Sequence, residues 1–428
     1  MHHATGRECR FWWAGLALLT PLSALAEPSL DELLREVERL KERVEQLERE
    51  RVRPVPAQEL NLGLSISGTE RAVEAPVEAK PTAPEVHVGG ALRFNFVHRD
   101  FVEASDGKRG ESGLDVFRLN VEGAIDNILV SAEYRFYSYM HTLHHGWIGY
   151  QFDDNSQLQF GVHRVPFGLQ PYPAHNAWFG VPYYTGLGDD YDMGIKYQRE
   201  DGPWQWQLAF YKNEELNDST SAERYSFDLV RSGDQQNEET NQFNGRGAFT
   251  FGLGTGCETE TGASVQAGEL YNHITGRRGD HWAAAAHLDS RCGRWHVQLS
   301  GIRYNYSPAN PEGMNNDTVQ VGAFAGTYDV ASRADVLVAN LAYNVPSPWK
   351  HIDSITCYND YSQLFKDDAH SRDSRINTLG CAVGMGPIFT YVDYILANNM
   401  AYFAEGSMAQ GGDNEWHSRF NVNLGFYW

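Results

Sequence analysis

The sequence predicts an all-β fold, a transmembrane antiparallel β-barrel of about 16 strands preceded by a short N-terminal coiled coil. Three observations predict it. From Val86 onward apolar and polar residues alternate with a period of two, as in strands with one apolar and one wet face. The last segment places Phe420, Val422, Leu424, Phe426 and Trp428 on one face, up to the terminal residue. After residue 30 no run of 18 or more apolar residues occurs, so no helix-type span is available.

Residues 1–26 read as a signal peptide. Arg7 and Arg10 form a positive start, Phe11 to Leu19 an apolar core, and Ala24-Leu25-Ala26 a small-residue cleavage site before Glu27. Residues 27–52 read as a coiled-coil helix in the periplasm. Leu30, Val37 and Val44 fall at one core position of a heptad and Leu33, Leu40 and Leu47 at the other. Ser29 and Glu32 form a capping box. About three heptads are marginal alone, so the helix implies self-association. Residues 53–85 are a linker, with Pro54, Pro56, Pro76, Pro81 and Pro84 among Ala, Val and Glu. The barrel domain is 86–428.

A chain of 428 residues that is 13% aromatic and holds 41 glycines suits many amphipathic strands separated by turns. The formal net charge is −21, and loss of Arg7, Glu8 and Arg10 with the signal leaves the chain one unit more acidic. Phosphate backbones require clustered Lys and Arg, so no nucleic-acid partner is expected. The acidity reads either as solvated, repelling loops or as a preference for cations or neutral solutes.

In the first barrel strand Val86, Val88, Leu92, Phe94 and Phe96 alternate with His87, Gly89, Ala91, Arg93 and Asn95. Leu119 and Val121 alternate with Arg118, Asn120 and Glu122, and Val130, Ala132, Tyr134 and Phe136 with Ser131, Glu133 and Arg135. A soluble sandwich would show the same alternation. The terminal strand separates the two, because an apolar face running to Trp428 is of little use to a soluble domain and closes a barrel whose edges cannot stay open in lipid. Arg93, Arg118, Glu122, Glu133, Arg135 and Arg164 are then expected to face the lumen, largely salt-bridged.

Short periplasmic turns are expected at 126–127, 153–156, 201–203, 254–262, 289–293, 346–351 and 385–387. Long outer loops are expected at 103–113, 165–190, 214–239, 307–334, 366–373 and 399–415. Treating 307–334 as one loop with local β-structure makes the strand count even, as a closed single-chain barrel requires. Export implies an oxidising compartment. Of five cysteines, Cys9 leaves with the signal, and the remaining four allow three pairings. Cys357 and Cys381 are symmetric about Ala369 across a hairpin, and Cys257 and Cys292 fall in neighbouring turns, so those two bridges are expected.

The segment Gln159 to Gln170, QFGVHRVPFGLQ, resembles the G-x-x-[KR]-V-P-F-[GS] stretch of the phosphate-selective porin O/P family. The strands beginning at Val86 and Phe117 are similar to that family's first two. The resemblance covers 86–428 and implies a homotrimer of outer-membrane barrels that pass small hydrophilic solutes or ions. It implies lipid and lipopolysaccharide as surroundings and 165–190 as a constriction loop. In phosphate-selective members that loop supplies lysines, whereas 165–192 here contains no Lys or Arg. Phosphate binding needs fixed positive charge or converging N–H groups, so phosphate selectivity is not expected.

The constriction set is Tyr172, His175, Trp178, Tyr183, Tyr184, Asp189 and Asp190. Two readings stand open: the aromatics pin the loop to the wall while the aspartates line water, or the rings stack on a sugar or organic solute while the aspartates favour cations or bind Ca²⁺. Either makes the pore cation-preferring or near neutral. His141, His144 and His145 lack a Cys or Glu at ligand spacing, so no metal site is expected. The acidic loop 214–239 reads as solvated, or as bridged to lipopolysaccharide by divalent ions. No G-x-S-x-G, Walker, HExxH or C-x-x-C pattern occurs, so neither an enzyme nor a cofactor is expected. The competing reading is a plugged barrel with a structural, adhesive or enzymatic role.

Overall fold

The computed structural model describes residues 85–152, 154–368, 371–403 and 408–428. The signal peptide, coiled coil and nearly all of the linker lie outside the described residues.

Sixteen strands close into an antiparallel barrel. In chain order they begin with β1 (Glu85–Arg99), β2 (Glu111–Ile125), β3 (Ile128–Phe136), β4 (His141–Gln151), β5 (Ser156–Arg164), β6 (Tyr191–Asp201) and β7 (Trp204–Glu214). After β8 (Asp228–Leu229), which stands outside the barrel, come β9 (Asn237–Phe251), β10 (Cys257–Asn272), β11 (Arg278–Cys292) and β12 (Trp295–Ser307). A hairpin of β13 (Thr318–Ala323) and β14 (Gly326–Ala331) is also outside. The barrel resumes with β15 (Arg333–Val345), β16 (Ser354–Lys366), β17 (Ser374–Met385), β18 (Ile388–Asn398) and β19 (His417–Tyr427). Two short helices, α1 (Glu103–Lys108) and α2 (Val181–Tyr184), lie in outer loops.

The alternation becomes two physical faces. Val86, Val88, Phe160, Leu208, Phe243, Val265 and Leu379 are each more than half exposed on the outside, while Gln159, Gln266, Gln298, Thr378, Asn421 and Asn423 are buried inside. Aromatic side chains beside the short turns, among them Trp204, Phe251, Trp295, Trp349 and Trp428, are also exposed, as in an interfacial girdle. β19 pairs with β1, and Gly90 and Trp428 exchange backbone hydrogen bonds of 3.1 and 3.2 Å. A Cβ on Gly90 would collide with the Trp428 ring and the Arg118 carbonyl, so closure needs glycine there.

The loop expected at 307–334 carries its own β-structure: β13 pairs with β14 and, across the molecule, with β8 of the fourth outer loop. The turn expected at 254–262 is shorter, because β9 reaches Phe251 and β10 starts at Cys257. β11 likewise runs to Cys292. Cys257 and Cys292 therefore sit in paired strand ends rather than in turns; their sulfurs are bonded, as are those of the directly paired Cys357 and Cys381. Two outer connections, 137–140 and 273–277, were not among the expected loops, being too short to interrupt the alternation.

Candidate functional site in the barrel lumen

The loop between β5 and β6 turns inward. Gly161 has φ +134°, a backbone that an L side chain rarely adopts, and Pro166, Pro171, Pro173 and Pro182 cannot continue a strand ladder. A loop crossing the lumen must satisfy its own backbone groups. The polar inner faces of distant strands do so. Ser264 Oγ accepts from Gly168 N at 2.9 Å, Asp360 Oδ2 accepts from His175 N and Asn176 N at 2.7 and 3.0 Å, and Ser362 Oγ accepts from Val181 N at 2.9 Å. Gln298 and Asn340 donate to the carbonyls of Tyr172 and Pro173 at 3.1 and 2.8 Å.

Between this loop and the opposite wall lies a cavity of about 520 Å³. Its loop side is aromatic: Tyr172, Trp178, Phe179, Tyr183 and Tyr184. Its wall side carries Arg93, Arg99, Arg135 and Arg419 with Glu111 and Asp115. Arg93 Nε pairs with Asp115 Oδ2 at 2.9 Å and Arg99 Nη2 with Glu111 Oε2 at 2.8 Å. Arg135 pairs with Glu133 at 2.5 Å and lies 4.4 Å from the Tyr225 ring centroid. Arg419 lies 3.8 Å from the Trp178 centroid and 5.4 Å from that of Phe403. Among the described residues Arg419 makes no ion pair, so its charge is the least neutralised of the four.

Of the constriction set, Tyr172, Trp178, Tyr183 and Tyr184 border the cavity. His175, Asp189 and Asp190 do not. His175 is buried between Asp360 Oδ1 at 2.7 Å and His296 at 2.8 Å. Asp189 accepts from the Tyr225 hydroxyl at 2.5 Å and pairs with Arg164 at 3.3 Å, and Asp190 is buried at the start of β6. The loop turns its rings to the cavity and its carboxylates away from it: Asp189 meets a donor and a cation, whereas the Asp190 carboxylate, among the described residues, accepts only from the backbone of Tyr191.

Of the expected lumen set, Arg93 and Arg135 border the cavity. Arg118 and Glu133 are covered, 3.6 Å apart. Glu122 is half-buried and outside the cavity lining. Arg164 is held under the loop by Tyr191 Oη at 2.6 Å and Asp189, so it lines no open water. Sequence reasoning missed Arg99, Asp115 and Arg419. The signal for Arg419 was present, since it falls on the polar side of the last strand beside Phe420.

Two further placements differ from expectation. Glu133, from the neighbouring strand, comes within 3.8 Å of His144 Nδ1, and the ligand atoms of Glu133, His144 and His145 converge within 4.8 Å. The acidic fourth loop is not simply solvated: Glu214, Glu215 and Asp228 are buried around a fully buried Arg224.

Residues 130–282 match the family model for phosphate-selective porin O and P. That match spans about a third of the chain and includes the 159–170 segment. Solved outer-membrane barrels share the fold of this chain at low identity. The outer membrane channel DcaP of Acinetobacter baumannii is 12% identical, with a TM-score of 0.55 over 82% of this chain and 99% of that one. OmpF of Salmonella typhi in complex with daunomycin is 10% identical, with a TM-score of 0.56 over 80% and 97%. A trimer form of OmpT from Vibrio cholerae is 12% identical, with a TM-score of 0.50 over 81% and 100%. No curated protein matches the sequence of this chain.

Proposed function

We propose that this chain is an outer-membrane porin that passes small hydrophilic solutes or ions passively, as a homotrimer, with a weak preference for anions. The observation that carries the reading is the cavity between the aromatic face of the inward loop and the arginine-bearing wall. Four arginines against the three carboxylates that pair with them, Asp115, Glu111 and Glu133, leave that wall with one net positive charge at Arg419, and the loop aspartates that would have offset it are turned away from the cavity. This reverses the cation or neutral preference expected from the loop's composition. Phosphate selectivity is still not expected. The loop contributes rings rather than lysines, and Arg93, Arg99 and Arg135 already have carboxylate partners. The aromatic face suits solutes with an apolar side, which would slide along it while the arginines attract their charge.

Trimer assembly rests on the resemblance to the porin O/P family and on the trimer form of the OmpT fold relative. Planar-bilayer recording tests the function. Purified trimers should give stepwise currents in threes, and a salt gradient should give a reversal potential of anion-selective sign. Cation-selective potentials would overturn the preference. Folded trimers without current steps would replace the channel with the plugged barrel, a reading the loop cluster inside the barrel mouth favours.

A further inference from the structure

We propose that Asp190, Asp192 and Asp228 bind one divalent cation of the Ca²⁺ type, which clamps the fourth outer loop to the root of the constriction loop. One carboxylate oxygen from each residue lies within 4.8 Å of the others. An ion holding oxygens at about 2.3–2.6 Å places opposite ligands roughly 4.6–5.2 Å apart, so one ion can touch all three.

Asp192 supplies an independent reason. Its side chain is only 4% exposed, and its Oδ1 has no hydrogen-bond partner. Its Oδ2 has a long 3.4 Å contact from Gln242 Nε2. A buried carboxylate oxygen without a donor is costly unless a cation meets it. The surroundings deepen the deficit. Glu214 and Glu215 are also buried, and each has an oxygen without a hydrogen bond. The cation in this cluster, Arg224, reaches Glu214, Glu215 and Asp228 at 3.5–3.7 Å. Among the described residues neither Asp190 nor Asp192 has an ion-pair partner. Five buried carboxylates against one guanidinium require either protonation or a further positive charge.

Ligand chemistry selects the ion. Carboxylate oxygens without His or Cys suit a hard cation such as Ca²⁺ rather than Zn²⁺ or Cu²⁺. The convergence of Glu133, His144 and His145 is the weaker candidate, because Arg135 and Asn120 already bond Glu133 and Arg118 lies beside it. The proposed ion also has a mechanical role. Asp228 lies in β8, which pairs with β13, so the ion would join the small sheet of the fourth and sixth loops to the start of β6. Conductance does not depend on this site in the transport reading, so either can fail without the other.

The test uses the full-length porin refolded in detergent without lipopolysaccharide, stripped with a chelator and titrated with CaCl₂. Elemental analysis after gel filtration should find one tightly held Ca²⁺ per chain. Asp192→Asn and Asp190→Asn, with heat-modifiable gel mobility retained, should each weaken binding at least roughly tenfold. Calcium should also slow proteolysis of the fourth loop in the unaltered protein. Absence of bound Ca²⁺ in the unaltered protein, or undiminished binding in both variants, overturns the proposal. If neither variant folds, a fourth loop cut at the same rate with Ca²⁺ and with chelator overturns it.

Discussion

Two charged regions share the inside of this barrel and behave in opposite ways. On the side of β1, β2 and β19, arginines and their partner carboxylates border open water and face aromatic rings. On the side of β6 and β9, carboxylates lie beneath the third and fourth loops with one guanidinium among them. Both regions follow from the same alternation of apolar and polar residues. What separates them is whether a loop lies on top. Charge that meets water acts on passing ions, whereas charge that is covered acts on the loop that covers it.

The comparison presupposes a closed cylinder, and breaking closure has the largest expected effect. Gly90→Leu should abolish the heat-modifiable folded band, because the new side chain occupies the place of the Trp428 ring. Next in size, deletion of 217–231 should uncover the acidic side, raise conductance several-fold and turn the reversal potential towards cations. Unchanged selectivity would show that the covered carboxylates stay neutral or matched. A charge reversal on the watery side, Arg419→Glu, should lower the anion-to-cation permeability ratio by roughly tenfold, equivalent to about 1.4 kcal/mol. A much smaller change would move the selectivity element elsewhere in the lumen.

The smallest effect is one of pH. Burial, reinforced by neighbouring negative charge, pushes the carboxyls of Asp190 and Glu215 well above the usual range; burial does the same to Asp228 to a lesser degree, opposed by Arg224. The folded loop cluster thus holds protons that the unfolded chain would release. Its stability is greatest below the ordinary carboxylate pKa of about 4 and declines as pH rises towards the raised values. In chelator, the hydrogen-exchange protection of 215–231, corrected for the intrinsic pH dependence of amide exchange, should fall as pH rises above about 4. Millimolar Ca²⁺ should cancel much of that trend. A flat profile in chelator would indicate that Arg224 already balances the cluster.

Particular residues show where sequence reading stops. Trp428 and the alternate residues before it announced the closing strand, because a lipid-facing surface leaves a period-two record on a single segment. The resemblance of 159–170 to a porin motif implied the loop that leaves the ladder after Arg164. Asp189 and Asp190 misled, since two acids in a constriction loop without Lys or Arg suggest a cation path unless their partners are known. Those partners are Tyr225 and Arg164 for Asp189, and the acidic group around Asp228 for Asp190, between 25 and 38 positions away. Arg419 was overlooked for the reverse reason: a single arginine on a polar face looks like any other until Trp178, remote in sequence, is seen beneath it.

By itself the sequence determined what each strand must do locally: which residues face lipid, which strand closes the barrel, and where the chain leaves the wall. Local steric rules and solvent preference act on neighbours along the chain, so they can be read from it. Which charges meet water was decided only by the tertiary structure. Coverage by a loop depends on contacts between segments tens to hundreds of residues apart, and no local pattern records the distance between Asp192 and Asp228 or between Arg419 and Trp178.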